Sequence, residues 1–174
     1  MPTYEQIGKT YDDTRRADPY IARRLASHLK ANLKDRYLDL ACGTGNYTIA
    51  LRYSGIQISG VDQSVRMLSS ARRKDPSINW SLGTAEALPF RSGSFSGAIC
   101  VLAIHHFENF ERAFQEVARV IVRGRFVIFT STSEQLKRFW LNEYFPTAMR
   151  RSIDRMPSKN EIMKALKNAG FIKI

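Results

Sequence analysis

The chain has 174 residues, of which 44% are hydrophobic and 25% charged, and its formal net charge of +11 gives a sequence pI of about 10.0. This length suits one domain with a substantial core and is short for two. No apolar run approaches the roughly 20 residues that span a bilayer, and the first residues lack the features of a signal peptide, so we expect a cytoplasmic protein. The two cysteines, Cys42 and Cys100, have no metal-ligand spacing, so neither a disulfide framework nor a metal site is indicated.

The basic residues are distributed along the chain and do not form one block. Pairs such as Arg23 with Arg24 and Arg150 with Arg151 belong to different predicted helices, and no aromatic-interleaved basic segment is present. Most of them are expected to lie on solvated helix faces. A nucleic-acid partner therefore stays open but is not favoured.

Helices and strands are predicted to alternate along the chain. Residues 19–34 have the pattern of an amphipathic helix, because Ile21, Leu25, Leu29 and Leu33 recur at helical spacing. The elements predicted next are strand 36–40, helix 45–53, strand 57–62, helix 64–74, strand 78–82, strand 96–102, helix 110–120 and strand 125–130. Such alternation predicts right-handed crossovers and a parallel sheet.

Two apolar runs, at 99–104 and 126–129, are typical of strands covered on both faces. They are predicted to be the central strands of the sheet. A turn containing Gly124 is expected to lead into the second of them.

The C-terminal part of the chain contains an aromatic segment at 139–145 and a further helix. Ser158 and Glu161 have the spacing of a capping box at the start of that helix, and Gly170 is expected to end it. Residues 171–174 are predicted to begin another strand.

The most informative segment is a glycine-rich turn after the first predicted strand. Residues 37–47 read Tyr-Leu-Asp-Leu-Ala-Cys-Gly-Thr-Gly-Asn-Tyr, and Gly43 and Gly45 can bring the backbone close to a ligand at the start of the next helix. The second predicted strand ends in Asp62, whose carboxylate can accept hydrogen bonds from two ribose hydroxyls. The third glycine of a dinucleotide-binding turn is missing, and so is the Gly-Lys-Ser/Thr sequence of a Walker loop. The pattern therefore indicates a nucleotide-type site that is neither a dinucleotide site nor a Walker loop.

With this turn and Asp62, the chain resembles the class I S-adenosylmethionine-dependent methyltransferases, in particular the methyltransferase type 11-like, small-molecule branch. The resemblance covers nearly the whole chain. It implies an α/β fold with a Rossmann-like, doubly wound, mostly parallel sheet and helices on both faces. In that family a further antiparallel strand completes the sheet, and no sequence for it follows residue 174. We therefore expect a single domain over 1–174 that is truncated at its C-terminus or has an incomplete sheet.

The same resemblance implies S-adenosyl-L-methionine as cofactor and S-adenosyl-L-homocysteine as product. Asp39 would face the methionine ammonium, Asp62 would bind the ribose, and the loop at 83–90 would hold the adenine. Tyr11 would contact the amino-acid end of the cofactor, and Arg15 would bind its carboxylate. The cofactor-binding residues that the resemblance implies are Tyr11, Arg15, Asp39, Ala41, Gly43, Gly45, Asp62, Gln63, Met67, Thr84, Ala85, Glu86 and Leu102.

Several of these positions also have a purely structural interpretation. Asp62 can serve as a helix N-cap, and Met67 suits a helix core. Tyr11 and Arg15 can belong to a flexible terminus. Cys42 is interpreted as a small residue that fits beside the cofactor.

The segment Leu-Ala-Ile-His-His-Phe at 102–107 follows the fourth predicted strand, at the edge where parallel sheets bind ligands. His105 directly follows the buried strand and is the candidate general base, because an unperturbed histidine pKa of about 6.5 suits neutral pH. A positioning role beside the cofactor sulfur stays open, since methyl transfer from a sulfonium depends mainly on orientation.

The predicted function is transfer of a methyl group from S-adenosylmethionine to a small-molecule acceptor, with a quinone-like or other aromatic metabolite as the first expectation. Two alternatives remain, an enzyme that modifies tRNA or other RNA and a non-catalytic S-adenosylmethionine-binding regulator. The oligomeric state is left open, with self-association through an unfinished sheet edge as one outcome.

Overall fold

The computed structural model describes Asp12 and residues 15–173. The strands are β1 (Arg36–Leu40), β2 (Gln57–Asp62), β3 (Trp80–Leu82), β4 (Phe95–Val101) and β5 (Ile121–Phe129). The helices are α1 (Pro19–Leu29), α2 (Asn46–Tyr53), α3 (Val65–Lys74), α4 (Phe110–Val120), α5 (Ser133–Lys137), α6 (Leu141–Tyr144), α7 (Pro146–Ile153) and α8 (Lys159–Asn168), with a short 3-10 turn at Ile104–His106. Among these elements, no helix is long and apolar enough to cross a membrane.

In the described part of the chain the strands form one sheet in the order β3-β2-β1-β4-β5, and every pair is parallel. Parallel neighbours need crossover connections, and the helices between the strands supply them. The order reverses between β1 and β4, so the connections that leave the carboxyl ends of these two strands run to opposite faces of the sheet, and a crevice forms outside the strand ends. The predicted α/β fold with a parallel sheet is confirmed.

Different helices cover the two faces of the sheet. Leu38 and Leu40 of β1 face the side where α4 and α8 pack, and Phe114 is fully buried there. Tyr37 faces the opposite side and packs with Leu29 of α1. The alternation along β1 places apolar side chains on both faces, as a strand in the middle of a doubly covered sheet requires.

Of the two predicted central strands, only the first is central among the described residues. Ala98, Ile99 and Cys100 of β4 are fully buried, with β1 on one side and β5 on the other. The prediction for 126–129 was wrong, because within the described part of the chain β5 pairs only with β4 and Phe129 is 36% exposed. The apolar run is explained by contacts on both faces of this strand, because Phe126 packs against helix α4 and Val127 packs in the cluster on the α1 side.

Strand β5 begins at Ile121, directly after α4, so Gly124 lies inside the strand and not in the predicted turn. Phe95 pairs with Ile121 and Gly97 pairs with Arg125, so β5 has extra residues and forms a bulge. A Cβ at Gly124 would collide with the carbonyl oxygen of Ser96. The close approach of the two strands therefore requires glycine at this position.

Helix α1 ends at Leu29 and does not reach residue 34. Lys30 takes the left-handed conformation, with φ of 49°, and its amide donates back to the last turn of the helix. Leu33, predicted on the apolar face, is 58% exposed. The chain leaves the helix early because it must turn to enter β1.

The strand predicted to begin at Phe171 is not present at residues 171–173. Gly170, with φ of 95°, ends α8, and the amide of Phe171 donates to the carbonyl oxygen of Leu166 at 3.0 Å. The ring of Phe171 lies 5.9 Å from that of Phe126. This residue therefore packs on the face of the sheet and does not pair along its edge.

Candidate active site

A cavity of about 420 Å³ opens at the carboxyl edge of the sheet, where the strand order reverses. Its walls are the ends of β1, β2 and β4 and the loops that follow β1, β2, β3 and β4. Many of the site residues predicted from the sequence line it, namely Ala41, Gly43, Asp62, Gln63, Met67, Thr84, Ala85, Glu86 and Leu102. The fold thus brings together positions that are far apart in the chain.

Asp62 is fixed at the cavity wall by backbone amides. Its Oδ2 accepts from the amide of Gly43 at 2.8 Å, and its Oδ1 accepts from the amide of Ser64 at 2.9 Å. Burial raises the pKa of Asp62, and the amide hydrogen bonds oppose that rise. The amide of Gln63 also acts on this carboxylate, which keeps some acceptor capacity for a ligand hydroxyl. Ser64 is the N-cap of α3, because its hydroxyl accepts from the Met67 amide, so Asp62 does not have that role.

The two glycines of the turn have different surroundings. Gly43, with φ of 56°, lines the cavity, and a Cβ there would meet nothing within 4 Å. Gly45, with φ of 77°, is the N-cap of α2, and a Cβ there would collide with the ring of Trp80. The same ring lies against Gly60, where a Cβ would be 2.6 Å away. The structure places Gly43 at the cavity and Gly45 against the tryptophan behind it.

Asp39 lies behind the glycine turn and is only 2% exposed. It is not among the described residues that line the cavity. Its Oδ2 accepts from the hydroxyl of Thr48 at 2.6 Å, which ties β1 to α2. Burial raises the pKa of Asp39 to about 7, against the hydrogen bond from Thr48 and with a further upward contribution from the charge of Asp62.

Asp12 binds the glycine turn from the N-terminal side. Its Oδ1 accepts from the hydroxyl of Thr44 at 2.6 Å, the side-chain amide of Asn46 at 3.0 Å and the ammonium of Lys74 at 3.0 Å. Burial raises the pKa of Asp12, but these donors outweigh that effect and the pKa lies below its ordinary value. The contact between Asp12 and Lys74 was not predicted from the sequence, because the two residues are 62 positions apart.

Of the two residues predicted to bind the amino-acid end of the cofactor, Tyr11 and Arg15, the structure describes only Arg15. Tyr11 lies outside the described residues. The backbone of Arg15 is near the turn, since its carbonyl oxygen accepts from the side-chain amide of Asn46. Arg15 is not among the described residues that line the cavity.

The loop that follows β3 is anchored to helix α4 by an ion pair. Glu116 Oε2 accepts from the amide of Leu88 at 2.8 Å, and Arg119 donates to both oxygens of Glu116 at 2.8 and 2.7 Å. Arg119 also donates to the carbonyl oxygens of Phe90 and Leu88 at 2.8 and 3.1 Å. The hydrogen bonds from Arg119 hold the pKa of Glu116 below its ordinary value despite partial desolvation. The only sequence signal was the spacing of three residues on one helix face.

The two histidines differ in their relation to the cavity. His106 lines it and His105 does not, although their rings lie only 3.8 Å apart. Burial, followed by repulsion from His106 and Arg155, lowers the pKa of His105 to about 4. Burial and Arg155 also lower the pKa of His106. Both imidazoles are therefore neutral at pH 7, and position favours His106 over the predicted His105 as a proton acceptor.

Other cavity residues were not predicted from the sequence. They include Ser64, His106, Phe107 and Glu108 from the loops after β2 and β4. Leu102 takes a φ of 53°, which turns the chain sharply as it leaves β4. Sequence spacing alone does not give the orientation of side chains after such a turn.

The family model described as "Methyltransferase domain" matches residues 38–129, which is more than half of the chain. The chain is 27% identical to the demethylmenaquinone methyltransferase of Chlorobaculum tepidum, over 87% of this chain and 72% of that protein. It is 28% identical to the malonyl-[acyl-carrier protein] O-methyltransferase of Enterobacter lignolyticus, over 93% of this chain and 59% of that protein.

Among solved structures, a protein of Anabaena variabilis described as a methyltransferase from an antibiotic biosynthesis pathway superposes with a TM-score of 0.83. The two are 32% identical, and the match covers 90% of this chain and 62% of that one. The chain thus spans between 59% and 72% of the length of these relatives. With its parallel sheet and its cavity at the strand-order reversal, the chain belongs to the methyltransferase domain family and has the fold of the class I S-adenosylmethionine-dependent methyltransferases.

Proposed function

We propose that this protein binds S-adenosylmethionine and transfers its methyl group to a small-molecule acceptor. The observation that carries the proposal is the arrangement of Asp62 and Gly43 at the cavity wall. A carboxylate held by two backbone amides faces a cavity next to a glycine whose missing side chain leaves the backbone open. The ribose of S-adenosylmethionine needs an acceptor for its two hydroxyls, and the methionine portion needs space along the protein backbone. Asp62 and Gly43 therefore fit this cofactor.

In this proposal each part of the cavity wall has a separate role. Asp62 accepts from the ribose hydroxyls, and the loop at 83–90 holds the adenine, with the amide of Ala85 available as a donor. Gly43 gives the methionine portion access to the backbone, and Asp39 supports the turn from beneath. Tyr11 and Arg15 stay as predicted partners of the amino-acid end.

S-adenosylmethionine, when bound, supplies a methyl group on a positively charged sulfur. The chain's own contribution is orientation of the acceptor and exclusion of water. Leu102 and Phe107, in the segment that follows β4, form an apolar wall of the cavity. His106, neutral at pH 7, can accept a proton from an oxygen or nitrogen acceptor.

We further propose a quinone-like or other aromatic molecule as the acceptor. The apolar wall supports this choice, because a flat apolar ring would lose little hydration on binding there. A relative named for a demethylmenaquinone substrate supports the same class. A carrier-bound malonyl ester, as in the name of the second relative, is the main competing acceptor.

Calorimetric titration of S-adenosylmethionine and S-adenosylhomocysteine tests the cofactor. We expect micromolar binding that falls at least tenfold in Asp62→Ala, because a charged acceptor contributes about 1.5–3 kcal/mol. Asp154→Ala removes an exposed carboxylate outside the cavity and should bind as the parent does. Equal affinity in both variants would place the ligand elsewhere.

Transfer of a labelled methyl group tests the acceptor. The panel contains a demethylated quinol, a malonyl thioester and bulk tRNA. Label in the quinol supports the proposed class, and label in the thioester or the tRNA contradicts it. Tight cofactor binding with no label in any cell-extract component would favour the non-catalytic regulator.

A further inference from the structure

A patch of large aromatic side chains lies exposed on the segment after β5. Phe139, Trp140, Tyr144 and Phe145 are 42%, 61%, 67% and 60% exposed, and we call them the aromatic patch. The ring of Trp140 lies 5.9 Å from that of Phe139 and 5.8 Å from that of Tyr144, so the rings form one cluster. Clustered exposed apolar side chains of this size mark interaction surfaces more often than single ones do.

The backbone that carries the aromatic patch is ordered by its own hydrogen bonds. The side-chain amide of Asn142 donates to the carbonyl oxygens of Leu136 and Phe139 at 2.7 and 2.6 Å. A capping box between Thr132 and Gln135 fixes the start of α5. The rings are therefore displayed by a hydrogen-bonded turn and not by a loop that is free to fold them inward.

Helices α5, α6 and α7 pack on one another, and we call them, with their connecting residues 133–153, the helical cap. Met149 is the one buried residue of α5, α6 and α7. The cap follows the carboxyl end of β5, so it starts at the edge of the sheet where the cavity opens. Arg155 lies just after the cap, and its charge contributes to lowering the pKa of both His105 and His106.

The aromatic patch is accompanied by positive charge. Arg138 directly precedes it, and Arg150 and Arg151 are exposed on α7, which packs against α6. None of the three forms an ion pair with another described residue. The acidic residues of the cap are Glu134 and Glu143, so basic groups predominate once Lys137 is included.

We propose that the aromatic patch, with Arg138, Arg150 and Arg151, is a docking surface for an anionic lipid bilayer. Tryptophan and tyrosine prefer the boundary between lipid headgroups and acyl chains, and exposed arginines are attracted to anionic lipids. Bases of a nucleic acid could stack on the same rings and an acidic protein could pair with the same arginines, so both are competing partners that the test must separate from a bilayer. This surface goes beyond the proposed function, and it would bring the cavity close to acceptors dissolved in a membrane.

The two tryptophans of the chain make a direct test possible. Trp140 is 61% exposed, whereas Trp80 is 8% exposed and donates to the carbonyl oxygen of Asp75 at 2.8 Å. The full chain is mixed with vesicles of phosphatidylcholine alone or with an equal amount of phosphatidylglycerol. We expect sedimentation with the anionic vesicles, a blue shift of tryptophan emission, and quenching by lipids brominated near the headgroup. In Trp140→Phe, the remaining emission of Trp80 should not respond.

Matched variants separate the proposed surface from general attraction by a basic protein. The double substitution Arg150→Gln with Arg151→Gln should weaken partitioning by roughly tenfold to thirtyfold, since each arginine near the surface contributes about fivefold. The control, Arg23→Gln with Lys34→Gln, removes the same charge from exposed positions in and just after α1, and should have little effect. Trp140→Glu should abolish most binding, whereas Tyr53→Glu, at a position that is 78% exposed on α2, should not.

Several results would overturn the proposal. These are absence of sedimentation with anionic vesicles, equal loss in the matched controls, or unchanged Trp140 emission on bound vesicles. Preferential binding of tRNA or of an acidic protein through the same residues would assign the surface to another partner. The vesicle assay involves no methyl transfer, so its failure leaves the proposed function intact, and cofactor titration of each variant verifies that it is folded.

Discussion

The amide of Gly43 donates to Oδ2 of Asp62 at 2.8 Å, although the two residues are 19 positions apart in the sequence. This hydrogen bond joins the turn after β1 to the end of β2, which are neighbouring strands. The carboxylate is thereby oriented before any ligand arrives, and a ligand need not order it on binding. The cavity wall is thus built from groups that hold one another in place.

Gly45→Ala should destabilise the protein more than Gly43→Ala does. At Gly45 the added methyl group collides with Trp80, and the left-handed backbone adds its own cost, so the free energy of unfolding should fall by about 2–5 kcal/mol. At Gly43 only the backbone cost of about 1–2 kcal/mol applies, and the methyl group instead enters the cavity.

Urea unfolding and cofactor titration of both glycine variants measure this difference. Gly43→Ala should lose affinity for S-adenosylmethionine while it stays folded. In a Trp80→Leu background, where the colliding ring is absent, Gly45→Ala should lower the free energy of unfolding by less than it does in the parent. Equal unfolding free energies in the two alanine variants would show that the contact with Trp80 does not limit the turn.

Asp39→Asn should make the protein more stable at pH 8 and leave it nearly unchanged at pH 4. The folded pKa of about 7 lies above the ordinary value of about 3.9, so between these values the folded chain holds a proton that the unfolded chain has released. Stability from this group therefore falls as pH rises through that window, by up to about 4 kcal/mol. Asparagine stays neutral and can still accept from Thr48.

Urea unfolding of the parent and Asp39→Asn across that pH range provides the measurement. The difference between the two should grow with pH and level off near pH 7 to 8. Asp154→Asn, at an exposed position, is the control and should change the free energy of unfolding little. A pH-independent difference for Asp39→Asn would mean that the buried carboxyl is charged throughout.

Glu116→Gln should loosen the loop at 83–90 and weaken cofactor binding. The substitution removes the charge that Arg119 pairs with, which should cost about 1.5–3 kcal/mol of unfolding free energy. Because the folded pKa of Glu116 is lowered, this contribution is present at neutral pH and is lost only in acid, as pH falls through that lowered value. Hydrogen exchange of the Leu88 amide should accelerate.

The matched control for this prediction is Glu111→Gln, at an exposed position on the same helix. It should change neither amide exchange nor cofactor affinity. If Glu116→Gln lowers stability without any change in affinity, the loop is held in place by its other contacts.

His106→Ala should lower kcat more than His105→Ala does. His106 lines the cavity and His105 does not, and general base catalysis typically contributes about 10²–10⁴-fold. Since burial lowers the pKa of His106, the imidazole is in its basic form at neutral pH, and activity should rise with pH only below the ordinary histidine range. Cofactor affinity should stay within about twofold in both variants, because neither removes a proposed cofactor contact.

Steady-state kinetics with a transferable acceptor and calorimetry with the cofactor separate these effects. A larger loss of kcat in His105→Ala than in His106→Ala would support His105, the residue predicted from the sequence, as the general base. An equal and small loss in both would mean that the acceptor needs only orientation.

The sequence by itself determined the class of fold, and it pointed to several residues that line the cavity. Alternating apolar segments predicted β1 and β2 with the bounds that are observed, because each is short, apolar and bordered by turn residues. The capping box of Ser158 and Glu161 is present at the start of α8 for the same local reason. Gly43 and Asp62 were predicted as site residues because a strand that ends in a glycine turn or an acidic residue is a local pattern typical of the ligand-binding edge of a parallel sheet. Both line the cavity.

Only the tertiary structure decided which neighbours these residues have. Gly45 packs against Trp80, Asp12 binds Lys74, and β5 lies at an edge of the sheet, all through contacts between distant parts of the chain. The fact that His106 lines the cavity, whereas His105 does not, depends on a turn at Leu102 that no periodic pattern encodes. Local propensity specifies backbone segments, whereas packing, desolvation and hydrogen bonding between segments decide which side chains meet and at what pKa they titrate.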